Sequence, residues 1–169
     1  MKPYLKTMAL AGMLALAAGS ASAAVTVTYV KPESFHDMPF PTWEREDMLK
    51  QVTDHFVKLG KTLPAGQDLR IVVTDFDPAG RLIPNARLGR DLRVLDGRAD
   101  WPRMTLHYSV EQNGQVIKSG DAQLSDMNYQ QTFNRYFDSE PLRYEKQMID
   151  DWYAKTIGPV DGRSVASNK

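Results

Sequence analysis

The sequence contains three histidines, the side chains whose charge changes most readily near neutral pH and which catalysis and metal binding often use. His36, His55 and His107 stand far apart, and none belongs to a spaced ligand motif such as His-x-x-x-His. A Gly-x-Ser-x-Gly nucleophile turn, a phosphate-binding loop and a dinucleotide fingerprint are absent as well. The sequence therefore predicts no catalytic residue, no metal ligand and no cofactor, and it favours ordinary surface or hydrogen-bonded histidines.

Two aspartates close an apolar stretch of the chain. Asp75 and Asp77 flank Phe76, and because successive residues of a strand alternate faces, both carboxylates are expected on the same face. Carboxylates at the end of a strand can act in catalysis or hold a metal. Asp77 also begins Asp-Pro-Ala-Gly, which is ordinary turn chemistry. The turn is the favoured interpretation, and a hydrolytic site built from Asp75, Asp77 and a histidine brought close by folding is the alternative.

Arginine is concentrated between positions 81 and 103, where no lysine occurs. Arginine forms bidentate contacts with carboxylates and phosphates that lysine cannot copy. One interpretation is a surface for an anionic ligand or an acidic partner on an irregular insert at 75–97; the other is internal pairing with Asp91, Asp96 and Asp100. Three local acids cannot neutralise six arginines. We therefore predict binding through the following four side chains, at least two of them exposed without a carboxylate partner: Arg81, Arg87, Arg90 and Arg93.

Aromatic residues accumulate between positions 129 and 153. Such a group can line a ligand groove, but more often it closes the core over a long connection, and core packing is the favoured interpretation. The group consists of Tyr129, Phe133, Tyr136, Phe137, Tyr144, Trp152 and Tyr153.

Alternation and helical spacing predict the elements that position these residues. Strands are predicted at 25–30, 69–74, 104–110 and 115–124, with a further short strand at 92–95. Thr42 is predicted to cap a first helix that a left-handed Gly60 ends, and a second helix is predicted over 140–157 with Pro141 in its first turn. This order predicts an α+β fold, a two-layer domain in which an antiparallel-rich sheet of four to five strands packs against two main helices.

The Asn113-Gly114 pair predicts a hairpin between the last two strands. A loop of these two residues alone would set the apolar face of the first strand against polar residues of the second. A three-residue loop over 112–114, with Gly114 left-handed in a bulge, instead pairs Val110 with Val116. This bulged register is the one predicted.

The N-terminus predicts export. Lys2 and Lys6 precede an apolar run at 8–18, and residues 21–23 form a small-x-small cleavage site, which together are typical of a secretory signal peptide. The run is shorter than the roughly 20 apolar residues that a membrane span needs. We expect a signal peptide over residues 1–23, cleaved near Ala23, a single domain over 24–158, a disordered tail over 159–169, and no transmembrane anchor after cleavage.

Charge and cysteine content exclude several classes of protein. The 21 basic and 21 acidic residues cancel, which argues against a nucleic-acid binder. The chain has no cysteine, so disulfides, thiolate metal sites and a lipid-modified cysteine are excluded.

Four short runs carry a resemblance to a known family: residues 27–35 (VTYVKPESF), 99–103 (ADWPR), 126–129 (DMNY) and 142–146 (LRYEK). The sequence resembles an uncharacterised domain-of-unknown-function family of small exported proteins from Gram-negative bacteria. The resemblance implies a periplasmic location and transfers no activity. We therefore expect a periplasmic, non-enzymatic binding or envelope-interaction protein, whose partner is a protein or an anionic ligand of the cell envelope. A small periplasmic hydrolase is the alternative.

Overall fold

The computed structural model describes residues 23–85, 87 and 89–158, without the side chain of Arg90. The predicted tail and, apart from Ala23, the predicted signal peptide lie outside the described residues. The described residues form β1 (Val25–Tyr29), a 3-10 turn (Pro32–Ser34), α1 (Thr42–Gly60) and β2 (Gln67–Asp77). They continue with β3 (Arg81–Asn85), β4 (Arg90–Val94), β5 (Arg103–Gln112), β6 (Gln115–Ser125) and α2 (Arg143–Thr156).

Four strands form the main sheet in the order β1-β2-β5-β6, and β3 and β4 form a separate two-stranded sheet. β1 pairs with β2 in parallel through the α1 crossover, whereas the other pairs are antiparallel. Two helices and a mixed sheet make an α+β fold, as predicted. No helix of the described segments is both long and apolar enough to cross a bilayer.

The core lies between one face of the main sheet and the two helices. Because side chains alternate along a strand, every second side chain of β2 and β5 points towards the helices. There it packs against the apolar stripe of α1 and α2. The principal buried residues are Val52, Phe56, Leu69, Ile71, Val73, Phe76, Met104, Leu106, Val110, Met148 and Ile149.

A β-bulge at Thr74 decides which way the end of β2 faces. Val73 pairs with Leu106 and Asp75 pairs with Thr105, so Thr74 is the additional residue. Because of this extra residue, Phe76 enters the core, and the two aspartates that flank it lie on the opposite, open face. The prediction that Asp75 and Asp77 share a face is thus confirmed, although the bulge was not predicted.

The predicted register of the β5–β6 hairpin is wrong. Asn113 and Gly114 form a two-residue loop with positive φ angles of 53° and 77°, as a type I′ turn requires. The extra residue is Ile117, within β6, so Val110 pairs with Lys118 rather than with Val116. Beyond this bulge, apolar side chains meet small or apolar ones, for example Tyr108 against Gly120.

The ends of the helices differ from the predicted ones. Thr42 is the first helical residue and makes no capping hydrogen bond, since Pro41 occupies the cap position. Gly60 is not left-handed; a Cβ there would overlap Val25 Cγ2, so glycine allows α1 to pack closely on β1. α2 begins only at Arg143, after Leu142 in a left-handed conformation with φ 54°.

Candidate functional site

Arg93 is one of the residues that attach the β3–β4 hairpin to the rest of the domain. Arg93 donates from Nη1 to the Asp37 carboxylate at 2.9 Å and from Nη2 to the Asp37 carbonyl at 2.6 Å. The backbone N–H of Leu82 donates to the same carboxylate at 3.1 Å. Two strands are therefore tied to the loop that precedes α1, and Arg93 acts as a scaffold contact.

Arg81 is engaged as well. Its guanidinium pairs with Asp96 at 2.6 Å, and the Asp96 N–H donates to Asp100 at 2.8 Å. Burial opposes ionisation of Asp100, but the hydrogen bonds from the Asp96 backbone and the Tyr129 hydroxyl outweigh it and lower the pKa of Asp100. The acids at the foot of the hairpin thus form a fixed hydrogen-bonded network.

The four predicted arginines consequently differ in whether they have a carboxylate partner. Arg81 and Arg93 have carboxylate partners, so neither meets the prediction of an unpaired side chain. Arg87 lies exposed in the hairpin loop and has no carboxylate partner among the described residues, whereas the side chain of Arg90 lies outside them. The binding role of these arginines stays a prediction, and it now depends on the hairpin loop.

Two exposed aromatic side chains lie beside that loop. Phe40 is 90 % and Trp43 is 70 % exposed, at the start of α1. With Leu82, Gly89 and Asp91 of the hairpin they line a cavity of about 460 Å³, which we call the aromatic cleft. Its aromatic wall joins one end of the hairpin to the first turn of the helix.

The backbone around Phe40 is held in place. Arg45 donates to the carbonyls of Pro39 and Phe40 at 3.2 and 3.4 Å, and the prolines on either side of Phe40 restrict the chain further. Phe40 and Trp43 are therefore presented to solvent by an ordered segment. Sequence reasoning missed them, although an aromatic residue between two prolines at a helix start was the available signal.

The predicted aromatic group is core only in part. Tyr129 and Tyr144 are buried against each other, edge to face, with ring centroids 4.7 Å apart, and Tyr153 is buried in the main core. Phe133 and Phe137, in contrast, are each 86 % exposed. The core-packing prediction is wrong for these two phenylalanines.

A polar groove of about 450 Å³ lies on the open face at the end of β2. His36 donates from Nδ1 to Asp75 at 3.1 Å, and Arg103 donates from Nε to Asp77 at 3.2 Å. Trp101 stands beside them, with the Arg103 guanidinium 5.8 Å from its ring centroid. Folding thus brings a histidine to Asp75, which the sequence left open, whereas Asp77 is paired with Arg103.

Each of the three histidines hydrogen-bonds an aspartate, but only His55 is buried. His55 Nε2 donates to Asp150 at 2.8 Å, and the Tyr136 hydroxyl donates to the other oxygen of that carboxylate at 2.7 Å. Burial opposes ionisation of Asp150, yet these two hydrogen bonds outweigh it and lower the pKa of Asp150. The contact joins α1 to α2, which identifies it as structural. In the described part of the chain, no group of three or more His, Asp or Glu residues could hold a metal ion.

The fold is α+β, and its surface presents an ordered aromatic cleft beside the loop of the β3–β4 hairpin and a polar groove at the end of β2. Residues 23–155 match the family described as Protein of unknown function (DUF3016), and the chain belongs to that family. No curated protein and no solved structure matches the chain.

Proposed function

We propose that this protein is an exported, non-enzymatic binding protein that recognises its partner through the aromatic cleft and the loop of the β3–β4 hairpin. The observation that carries the proposal is the exposure of Phe40 and Trp43, at 90 % and 70 %, on a segment that Arg45 and two prolines hold in place. Exposed apolar patches on soluble domains commonly mark interaction sites. Aromatic and arginine side chains also dominate the binding energy of interfaces.

The chemistry of the surface indicates the kind of partner. The cleft accepts an apolar group, and its preordered backbone lowers the entropy cost of binding. Arg87, exposed in the adjoining loop, suits a carboxylate or another anion beside that group. Glu44 and Asp91 line the cleft itself, so the apolar group enters the cleft while the anionic group contacts Arg87 outside it. The partner is accordingly an acidic protein or an anionic ligand of the cell envelope with an apolar group of its own.

Export to the periplasm rests on the leader sequence and on one contact at the start of the domain. The Ala24 N–H donates to the Asp68 carboxylate at 2.8 Å, one residue before β1. Cleavage behind Ala23 would turn this nitrogen into an α-ammonium group, which pairs more strongly with a carboxylate. The domain therefore accommodates the proposed new terminus without losing a strand residue.

The test compares two pairs of exposed aromatics. The mature protein, a Phe40→Ser/Trp43→Ser variant and a Phe133→Ser/Phe137→Ser control are used to capture binding partners from envelope extract, with quantitative mass spectrometry. We expect one set of partners to be lost only with Phe40→Ser/Trp43→Ser, and reduced by Arg87→Ala and by added salt. Equal capture by both double variants would refute the aromatic cleft as the binding surface.

Catalysis in the polar groove is the second candidate, because His36 and Asp75 come together there. With Nδ1 bonded to Asp75, the other ring nitrogen can take a proton from a water molecule that attacks a substrate. A panel of chromogenic esters, phosphoesters and glycosides tests this. Activity that His36→Ala and Asp75→Asn abolish, and that His107→Ala retains, supports a hydrolase; His107 is a matched control because it also pairs with an aspartate, at 2.8 Å. Activity unchanged by His36→Ala, or absent throughout the panel, counts against it.

A further inference from the structure

A further cavity, separate from the aromatic cleft and the polar groove, lies where α2 begins. Its volume is about 220 Å³, and its walls join the start of the helix to the base of the β3–β4 hairpin. Ala79, Leu95 and Leu142 supply apolar surface, and Tyr144 supplies an aromatic ring. Since a water molecule occupies about 30 Å³ of liquid, the cavity has the volume of about seven waters, enough for a small organic molecule.

One wall of this cavity contains a buried carboxyl group. Glu145 is only 3 % exposed, and its Oε1 accepts the Ala79 N–H at 2.7 Å. No side chain among the described residues donates to Oε2. Burial raises the pKa of Glu145. The hydrogen bonds from the backbone N–H groups of Ala79 and of Glu145 itself oppose that rise, as do the nearby charges of Arg93 and Lys146, neither of which forms an ion pair with it. The group therefore lacks the counter-ion that a buried carboxylate normally has.

The remaining charges around the cavity are already balanced. Each has an opposite charge elsewhere in the chain: Arg93 pairs with Asp37, Arg143 with Asp138, and Glu140 with Lys146. Within the described residues, Glu145 is thus the one ionisable side chain lining the cavity that has no oppositely charged partner. A cation that entered the cavity would supply the ionised Glu145 carboxylate with a counter-ion. An anion would instead place a negative charge beside a desolvated carboxyl group.

We propose that this cavity binds a small primary ammonium compound with a short apolar body, whose ammonium group pairs with the Glu145 carboxylate while its carbon chain contacts Ala79, Leu95 and Leu142. Binding of this kind replaces the missing counter-ion and buries apolar surface at the same time. It requires nothing of the aromatic cleft, so it stands or falls independently of the proposed function.

Butylammonium, butyrate and 1-butanol serve as probes because they share a carbon chain and differ in charge. Each is titrated into the mature protein by calorimetry and by ¹⁵N-edited NMR. We expect only butylammonium to bind, with shifts at Glu145 and Leu142. Its affinity should rise with pH, since it binds the ionised carboxyl and displaces a proton, until the amine itself loses its charge near pH 10. Failure of butylammonium to bind at millimolar concentration, or equal binding of butyrate, would overturn the proposal.

Two variants test whether butylammonium binds in this cavity. Glu145→Gln keeps an oxygen to accept the Ala79 N–H and removes the charge, so we expect a folded protein that binds butylammonium at least about tenfold more weakly. Leu95→Trp leaves Glu145 untouched and fills the cavity from its partly exposed wall, and it should abolish binding. Wild-type affinity in either folded variant would show that butylammonium binds elsewhere, which also overturns the proposal.

Discussion

Replacement of Asp150 by alanine should destabilise the domain more than replacement of the neighbouring Asp151. The change removes the acceptor of two hydrogen bonds at once, from His55 at 2.8 Å and from Tyr136 at 2.7 Å. The His55 side chain is 3 % exposed, so water cannot take over the lost contact. An unsatisfied buried polar group costs about 1–3 kcal/mol, and two of them give an expected loss of about 2–6 kcal/mol in the free energy of unfolding.

The neighbouring residue supplies a matched control. Asp151, like Asp150, has a partner, in this case Arg135, but half of the Asp151 side chain is exposed to solvent. Asp151→Ala is therefore expected to cost less than about 1 kcal/mol. Both variants are measured by urea unfolding at neutral pH, where a shift in midpoint at constant slope reports stability. If Asp150→Ala loses no more than Asp151→Ala, the buried contact between the helices contributes nothing and the reasoning is refuted.

The pH dependence gives a second check on the same residue. The pKa of Asp150 is lowered in the folded state, so its contribution is present above the unfolded value of about 3.9 and is lost as the pH falls through the folded value. The stability difference between wild type and Asp150→Ala should therefore narrow on acidification below about pH 4. A difference that stays constant to pH 2 would mean that the carboxylate charge is not involved.

Three further predictions concern packing, the turn and processing. Gly60→Ala should cost about 1–3 kcal/mol because its methyl group overlaps Val25, whereas Lys61→Ala, at an exposed position next to it, should stay within about 0.5 kcal/mol; urea unfolding distinguishes them. Gly114→Ala should lower the stability by about 1 kcal/mol in the same assay, since φ is 77° there. Intact mass of the exported protein should give an N-terminus at Ala24 or Val25; uncleaved protein recovered from the membrane would contradict the signal-peptide prediction.

Local sequence patterns correctly predicted the elements whose side-chain alternation or helical spacing is regular. The alternation from Met104 to Val110 predicted β5, because one face of that strand is buried and the other is polar. The insert was less predictable: Pro84 and Gly89 favoured an irregular segment, yet β3 and β4 pair there. Pro84 is tolerated because a two-stranded sheet consists of edges, where a missing N–H costs little.

The side-chain partners, the hairpin register and the candidate sites depend on contacts between distant parts of the chain, and local sequence patterns could not predict them. Arg93 and Asp37 are 56 positions apart, and His55 and Asp150 are 95 apart, so composition near either residue does not reveal its partner. The hairpin register depended on whether Tyr108 could lie over Gly120, which is a question of fit across the sheet rather than of turn type. The candidate sites were obscured for the same reason, since Phe40 and Glu145 acquire their significance only from what surrounds them in the fold.

The extra residue in β6 also affects the tendency of the protein to aggregate at high concentration. β6 is a long edge strand, and unpaired N–H and C=O groups along such a strand can template the strand of another molecule. The bulge at Ile117 interrupts that row next to the exposed Val116, and Lys118 reaches back to the Thr156 carbonyl at the end of α2. A regular, untethered strand here would present Val116 and Ile117 on a flat edge to neighbouring molecules. The irregularity that fixes the register of the hairpin thus also makes the edge a poor seed for fibril growth.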